Sequence, residues 1–248
     1  MLNGFGIVNN YKRVLLVGST SEIGISIVNK LNLGHDSKLI LAGRENPSQD
    51  QFVNQSMQRD YLNYDFEVES DLEKFEAEVK TLGGIDFAII ALGFLPKEHN
   101  ELQSSSIKTA AKVNALAVPV ILSCLVNEMK GQPSGHILLI SSVAASRPRL
   151  QNFVYGSTKK CSDFFTVVLM NKYIKSNLHI YILRPGFVFT KMSQGFDPAP
   201  FSINKAKVAE ITLKGISRNQ RVIYAPRKLR FIMPILSCIP RFLYDKLN

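Results

Sequence analysis

The chain holds 248 residues, 46% of them hydrophobic, enough for one α/β domain with a large core and too apolar for a disordered chain. Its net charge of +10 suits an anionic partner, but no lysine–arginine run is interleaved with aromatics, which argues against nucleic acid. Cys124, Cys161 and Cys238 lie far apart, and His35, His99, His136 and His179 lack ligand spacing, so no disulfide framework and no metal are expected, and a cytoplasmic setting fits. Residues 1–11 do not read as a signal peptide. No run of about 20 apolar residues occurs, so no bilayer-spanning helix is expected.

In chain order, residues 13–18 read as a buried strand and 22–33 as a helix, with Ile23, Ile27, Val28 and Leu31 at helical spacing. Residues 38–44 form a second strand, followed by a polar stretch predicted helical to about Arg59. A short strand over 61–66 precedes an amphipathic helix over 71–82, with Leu72, Phe75, Val79 and Leu82 on one face. A fourth strand covers 85–93, and a long helix runs from about Glu101 to Lys130, stopped by Gly131-Gln-Pro-Ser-Gly135. Then come a strand over 137–142, a helix over 152–173, a strand over 179–183 stopped by Pro185-Gly186, and a lid-like polar stretch over 191–204. A helix over 205–217 and a seventh strand over 221–225 complete the pattern. Apolar strands alternating with helices predict a doubly wound parallel sheet of Rossmann type, one domain over 1–226, with 227–248 as a basic, apolar tail.

The turn after the first strand reads Gly18-Ser19-Thr20-Ser21-Glu22-Ile23-Gly24. Between strand and helix, such a turn aims backbone amides at a pyrophosphate. Gly18 permits the tight turn, and Gly24 lets helix and strand pack closely. At the end of the second strand, a carboxylate would bond the ribose 2′-hydroxyl of NADH. Ala42, Gly43 and Arg44 stand there instead. An arginine suits the 2′-phosphate of NADPH, unless it is simply solvated. Asp65, ending the third strand, is placed to meet the adenine edge or to form a turn.

Tyr155 and Lys159 are four residues apart on one predicted helix and face the same way. Ser142 lies thirteen positions upstream, at the end of an apolar strand. The Tyr-x-x-x-Lys spacing alone is weak and recurs at Tyr224 and Lys228, where Ile211 occupies the position of the serine. Context points to carbonyl chemistry. Reduction of a ketone needs a proton for the developing alkoxide, and a phenol ordinarily titrates at about 10. An ammonium beside it favours the phenolate. Tyr155 is then the general acid and Lys159 its tuner. Ser142 hydrogen-bonds the carbonyl oxygen, with Ser141 as the alternative serine.

These motifs, with Asn114 and Pro185-Gly186-x-x-x-Thr190, resemble in order and spacing the short-chain dehydrogenase/reductases over about residues 12–226. The resemblance implies a nicotinamide cofactor, NADPH or NADH, a Ser-Tyr-Lys-Asn site and a homo-oligomer. Lys159 would also bond the nicotinamide ribose. Asn114 would anchor a water in a proton relay to Lys159, unless it is a helix residue bonded to the backbone. Ala91, Leu92 and Gly93 would follow the adenosine side. Pro185, Gly186, Val188 and Thr190 would hold the carboxamide. Two departures stand out. Glu22 replaces a middle glycine and limits backbone approach to phosphate, and Ala91-Leu92-Gly93 replaces Asn-Asn-Ala-Gly.

Within the family, residues 18–24, 147–159, 184–193 and the tail are similar to actinobacterial reductases of polyprenylphosphoryl 2-keto-pentoses, which work with a flavin oxidase in making the arabinose donor of cell walls. That similarity implies a lipid-linked sugar phosphate substrate and a place on the inner membrane face. The tail holds Arg227, Lys228, Arg230, Arg241 and Lys246 against Asp245, with apolar residues between, a pattern that fits an interfacial segment or packing over the sheet or a dimer seam. Pro234 and Pro240 are expected to interrupt it. Arg147 and Arg149, between the fifth strand and the Tyr155 helix, are candidate ligands for the phosphodiester. Another ketone, such as a 3-ketoacyl thioester or a steroid-like ring, and a catalytically silent scaffold are the alternatives.

Overall fold

The computed structural model describes residues 11–31, 33–97 and 102–240. The expected leader, Glu101 at the start of the long helix, and residues 241–248 of the tail lie outside these. The strands are β1 (Arg13–Val17), β2 (Lys38–Gly43), β3 (Gln58–Asn63), β4 (Phe87–Ile90), β5 (Gly135–Ile140), β6 (Leu178–Pro185), β7 (Val188–Phe189), β8 (Ile203–Asn204) and β9 (Val222–Ala225). Seven of them form one parallel sheet in the order β3-β2-β1-β4-β5-β6-β9, and β7 pairs only with β8. The helices are α1 (Glu22–Val28), α2 (Glu69–Val79), α3 (Ser104–Ala110), α4 (Val118–Met129), α5 (Phe153–Lys172), α6 (Lys205–Ile216) and α7 (Leu229–Cys238).

Successive side chains of a strand point to opposite faces, so each strand feeds two cores. Val14, Leu16, Leu39, Leu41 and Ile89 pack beneath α1 and α6. Leu15, Val17, Ile40, Ile90 and Leu139 pack beneath α2, α4 and α5. Burial on both faces is why the strands read as unbroken apolar runs.

Local differences from the sequence expectations have physical causes. The third strand starts three residues early, at Gln58. It is an edge strand with β2 as its single neighbour, and it tolerates polar residues. Tyr64 and Phe66 leave the sheet to meet Phe75 of α2 edge to face. The stretch after β2 is not helical beyond one tight turn, Gln49–Gln51. Side chains serve its backbone instead: Asn29 bonds Gln51 O and Val53 N, and Arg59 bonds the carbonyls of Asn54 and Gln55. α3 and α4 are one continuous helix widened into a π turn over Ala111–Ala117. Pro119 lacks an N–H for the Ala115 carbonyl, to which the Cys161 thiol donates at 3.6 Å. This helix, Ser104–Met129, is long and apolar enough to cross a membrane by length and composition, contrary to expectation. Half of its apolar window is buried inside the protein, with Ile121, Leu122 and Leu125 on the sheet. Pro234 does not interrupt the tail, because α7 runs through it and stops before Pro240.

The carboxyl ends of β5, β6 and β9 are fastened by one buried ion pair. Asp163 of α5 is 2% exposed and accepts from Arg184 through both oxygens, at 2.9 and 2.6 Å. Ser141 donates to the same carboxylate at 2.7 Å, and Arg184 donates to the Tyr224 hydroxyl at 2.8 Å. Tyr224 thus has a structural partner and no part in a second Tyr-Lys pair. Burial alone would lower the Arg184 pKa, but Asp163 outweighs it and drives the guanidinium further toward its charged form. Arg184→Met leaves a buried carboxylate without its cation. It is expected to cost about 3–5 kcal/mol in urea unfolding, with most of the loss restored by adding Asp163→Asn. A loss within error of zero would show that the pair does not hold the strand ends.

Candidate active site

Strand order reverses between β1 and β4, and in parallel sheets a crevice opens outside the carboxyl ends at such a reversal. Here it holds a cleft of about 700 Å³ lined by the β1–α1 turn, the end of β2 and the loops after β3 and β4. Of the expected nucleotide residues, Gly18, Ser19, Thr20, Ser21, Glu22, Ile23, Arg44, Asp65, Ala91, Leu92, Gly93 and Thr190 all line it. Gly18 has φ 91, and a Cβ there would meet the Ala91 carbonyl at 2.8 Å, so glycine alone fits the turn. Gly24 lies behind the wall, where a Cβ would meet Leu16 at 2.7 Å, so its absence lets α1 close on β1. The leading amides of a helix have no intrahelical acceptor, and α1 opens on the cleft through Glu22 and Ile23. This cradle and the exposed Arg44 at its rim fit a dinucleotide. Asp65 lines the cleft and accepts from the Glu67 amide in the turn expected as its alternative.

A second cavity of about 280 Å³ shares the Ser21, Ile23, Ala91–Gly93 and Thr190 walls and reaches the end of β5. Ser142, Tyr155, Lys159, Pro185, Gly186, Val188 and Arg149 line it. The two serines are distinguishable. Ser141 is committed to Asp163, whereas Ser142 caps the turn after β5 through the Ala144 amide and lines the cavity beside Tyr155, whose pKa it draws down. Lys159 is 2% exposed and donates to the carbonyls of Leu92, at 2.7 Å, and Ile140, at 3.2 Å. Ala91-Leu92, standing where the family that the chain resembles has asparagines, thus meets the lysine through the Leu92 carbonyl.

The electrostatics correct the expectation of a phenol acidified by its neighbour. Burial pushes Tyr155 up to about 12, against the opposing pull of Ser142. Lys159 lies 5.8 Å from the Tyr155 ring centroid, with its protons directed at backbone carbonyls. Burial lowers its own pKa to about 8, opposed by Asp163. In this arrangement the phenol is protonated at neutral pH.

Two further expectations are corrected. Asn114 does not point to Lys159: its amide pairs with both the N–H and the C=O of Phe94 at 2.9 Å and donates to Thr158 at 3.0 Å. It stitches the loop after β4 to the helix, the alternative of a backbone-bonded asparagine. Arg147 does not face the cavity. Its guanidinium donates to the Leu236 and Ile239 carbonyls, the second at 2.7 Å, and closes the C-terminus of α7.

The sequence reading did not find Tyr64, Phe94, Thr109 and Met192 in the nucleotide cleft, or Gln151, Asn152, Phe196 and Asp197 in the inner cavity. Asn152 alone carries a local signal. It is left-handed, φ 61, a conformation asparagine tolerates, and immediately precedes α5. Glu22 also has an unforeseen role. Its carboxylate accepts from the Lys191 amide at 2.6 Å and pairs with Lys205 at 2.5 Å, tying the first turn of α1 to both ends of the lid-like stretch. Burial would raise its pKa, but the hydrogen bonds from Lys205 and Lys191 outweigh it and hold the carboxyl below the usual range. Glu22→Gln is expected to speed tryptic cleavage after Lys191 several-fold, about 1 kcal/mol of local opening, with the melting temperature little changed. An unchanged cleavage rate would rule out the tether.

The short chain dehydrogenase family profile matches residues 12–200. A protein of Mycobacterium tuberculosis named as an uncharacterized oxidoreductase is 28% identical over 247 residues, covering 94% of this chain and 96% of that one. A short-chain dehydrogenase from Sphingobium yanoikuyae, solved in complex with NADPH, superposes with a TM-score of 0.75 at 18% identity, over 92% of this chain and 96% of that one. A bulky-bulky ketone specific alcohol dehydrogenase from Comamonas testosteroni gives 0.75 at 18% identity, over 94% and 96%. Through the family match, and with its β1–α1 turn, Ser142, Tyr155 and Lys159 gathered at one reversal of a parallel sheet, this chain belongs to the short-chain dehydrogenase family and is an oxidoreductase.

Proposed function

We propose that the protein reduces a ketone to a secondary alcohol with NADPH. The observation that carries this reading is the convergence of Ser142, Tyr155 and Lys159 on a cavity that opens into the dinucleotide cleft. Bound there, the nicotinamide supplies the hydride. The chain's own residues handle the proton and the oxygen. Tyr155, a neutral phenol beside Ser142 on the cavity wall, donates its proton to the oxygen as negative charge grows. Ser142 orients the same oxygen. Lys159, anchored by the Leu92 and Ile140 carbonyls, brings positive charge to the end of β5, where it offsets the negative charge that builds in the cavity as hydride and proton are transferred. The preference for NADPH rests on Arg44 at the rim of the cleft, with the NADPH complex of the Sphingobium neighbour as a parallel.

The pH dependence follows from Lys159. It is charged below about 8 and loses its proton as pH rises through that value. Reduction, followed by nicotinamide absorbance, is expected to fall along that limb, and Lys159→Arg should move the limb upward while lowering the rate. Tyr155→Phe should lose about a hundredfold or more in kcat with cofactor binding retained. Wild-type rates in Tyr155→Phe, or a flat profile across that range, would remove the mechanism, and a preference for NADH would remove the role of Arg44.

For the substrate we propose a polyprenylphosphoryl pentose carrying a 2-keto group, supplied by a flavin oxidase. The support is the similarity of residues 147–159 and 184–193 and the make-up of the cavity. Arg149, Gln151 and Asn152 give it a polar rim, and Leu95, Phe187 and Phe196 an apolar wall. Arg149 then takes the phosphodiester, without Arg147. Arg149→Ala should raise KM for the lipid-linked ketone about tenfold while kcat for a small neutral ketone holds, and an unchanged KM would exclude the phosphate contact.

A further inference from the structure

α7 has apolar residues on two opposite faces. Leu229 and Met233 are buried against Val143, with Ile232 and Leu236 beside them. The opposite face presents Phe231, 71% exposed, and Ile235, 65% exposed, with Pro234 and Cys238 also open to solvent. A helix with apolar residues on two opposite faces calls for a second cover. The rim names its charge. Arg227, Lys228 and Arg230 are exposed at the start of the helix, and residues 227–240 contain no acid. Two copies meeting through this face would set two basic rims against each other, whereas an anionic lipid surface complements the rim and accepts the aromatic and aliphatic side chains below it.

The face is joined to the substrate cavity. Arg147, on the loop between Ser142 and Arg149, holds the Leu236 and Ile239 carbonyls and so fixes α7 to one wall of the cavity. Lys228 lies over the ring of Phe201, 5.5 Å from its centroid, which links the start of α7 to the lid-like stretch. Phe201 itself is 48% exposed.

We infer that the outer face of α7 seats the protein on an anionic membrane surface, with Phe231 and Ile235 entering the headgroup region and Arg227 and Arg230 meeting the lipid phosphates. The seat places the mouth of the cavity beside the bilayer, where a lipid-borne ketone resides, and in this purpose it rests on the substrate proposed above. The binding itself is measured without turnover.

The full chain is sedimented with vesicles of phosphatidylcholine alone and of equal parts phosphatidylcholine and phosphatidylglycerol. Binding is expected only to the second, and it should weaken as salt rises. Phe231→Ser with Ile235→Ser, and separately Arg227→Gln with Arg230→Gln, are each expected to weaken it about tenfold or more, while turnover of a water-soluble ketone is unchanged. Failure to bind the anionic vesicles, equal binding to both vesicles, or full binding by both variants overturns the seat. So does a wild-type dimer that Phe231→Ser splits without any vesicle binding, since a second copy then covers the face. Vesicle binding without reduction of the lipid-linked ketone supports the seat and overturns the substrate assignment alone.

Discussion

The burial of one ammonium organises the catalytic end of this protein. Lys159 is almost inaccessible, and a charge so placed needs partners. It takes them from backbone, the Leu92 carbonyl beyond β4 and the Ile140 carbonyl at the end of β5, so the lysine joins the two strands that flank the reaction site. One helical turn later, Asp163 offsets the charge and anchors Arg184 and Ser141. Ser141 being engaged there, Ser142 is left to serve the phenol. Tyr155, Lys159 and Asp163 share one stripe of α5 because residues four apart lie on one helix face.

A second set of contacts ties down the lid-like stretch. Glu22, in the cofactor turn, holds the lid-like stretch at Lys191 and at Lys205, and Lys228 of the tail meets that stretch at Phe201. The cofactor turn, lid and α7 thus form a chain of contacts around the cavity mouth. Arg147 extends it by fixing the far end of α7 to the β5–α5 loop. The basic, apolar tail is in its described part packed on Val143 and bonded to the β5–α5 loop.

The parallel doubly wound sheet was legible in the alternation of apolar strands with helices, because burial on both faces forces that pattern. The site was legible wherever spacing alone aligns groups: glycines in a single turn, and a tyrosine and lysine four apart on a helix. Less legible were elements whose state depends on distant partners. The polar stretch after β2 looked helical, yet Asn29 and Arg59 satisfy its backbone from other segments. Pro234 read as a break, yet tertiary packing of Leu229 and Met233 keeps α7 in one piece.

By itself, then, the sequence determined the layer architecture and the motifs that carry the family resemblance, and it named Ser142, Tyr155 and Lys159, which the fold brings to one cavity, because these rest on periodicity and short-range spacing. Only the tertiary structure decided which charges meet. It sent Arg147 to the end of α7, left Arg149 in the cavity, bound Asn114 to Phe94, and buried the phenol so that its pKa rises. Each of those outcomes depends on burial and on partners brought together across the chain, and no local pattern encodes that distance.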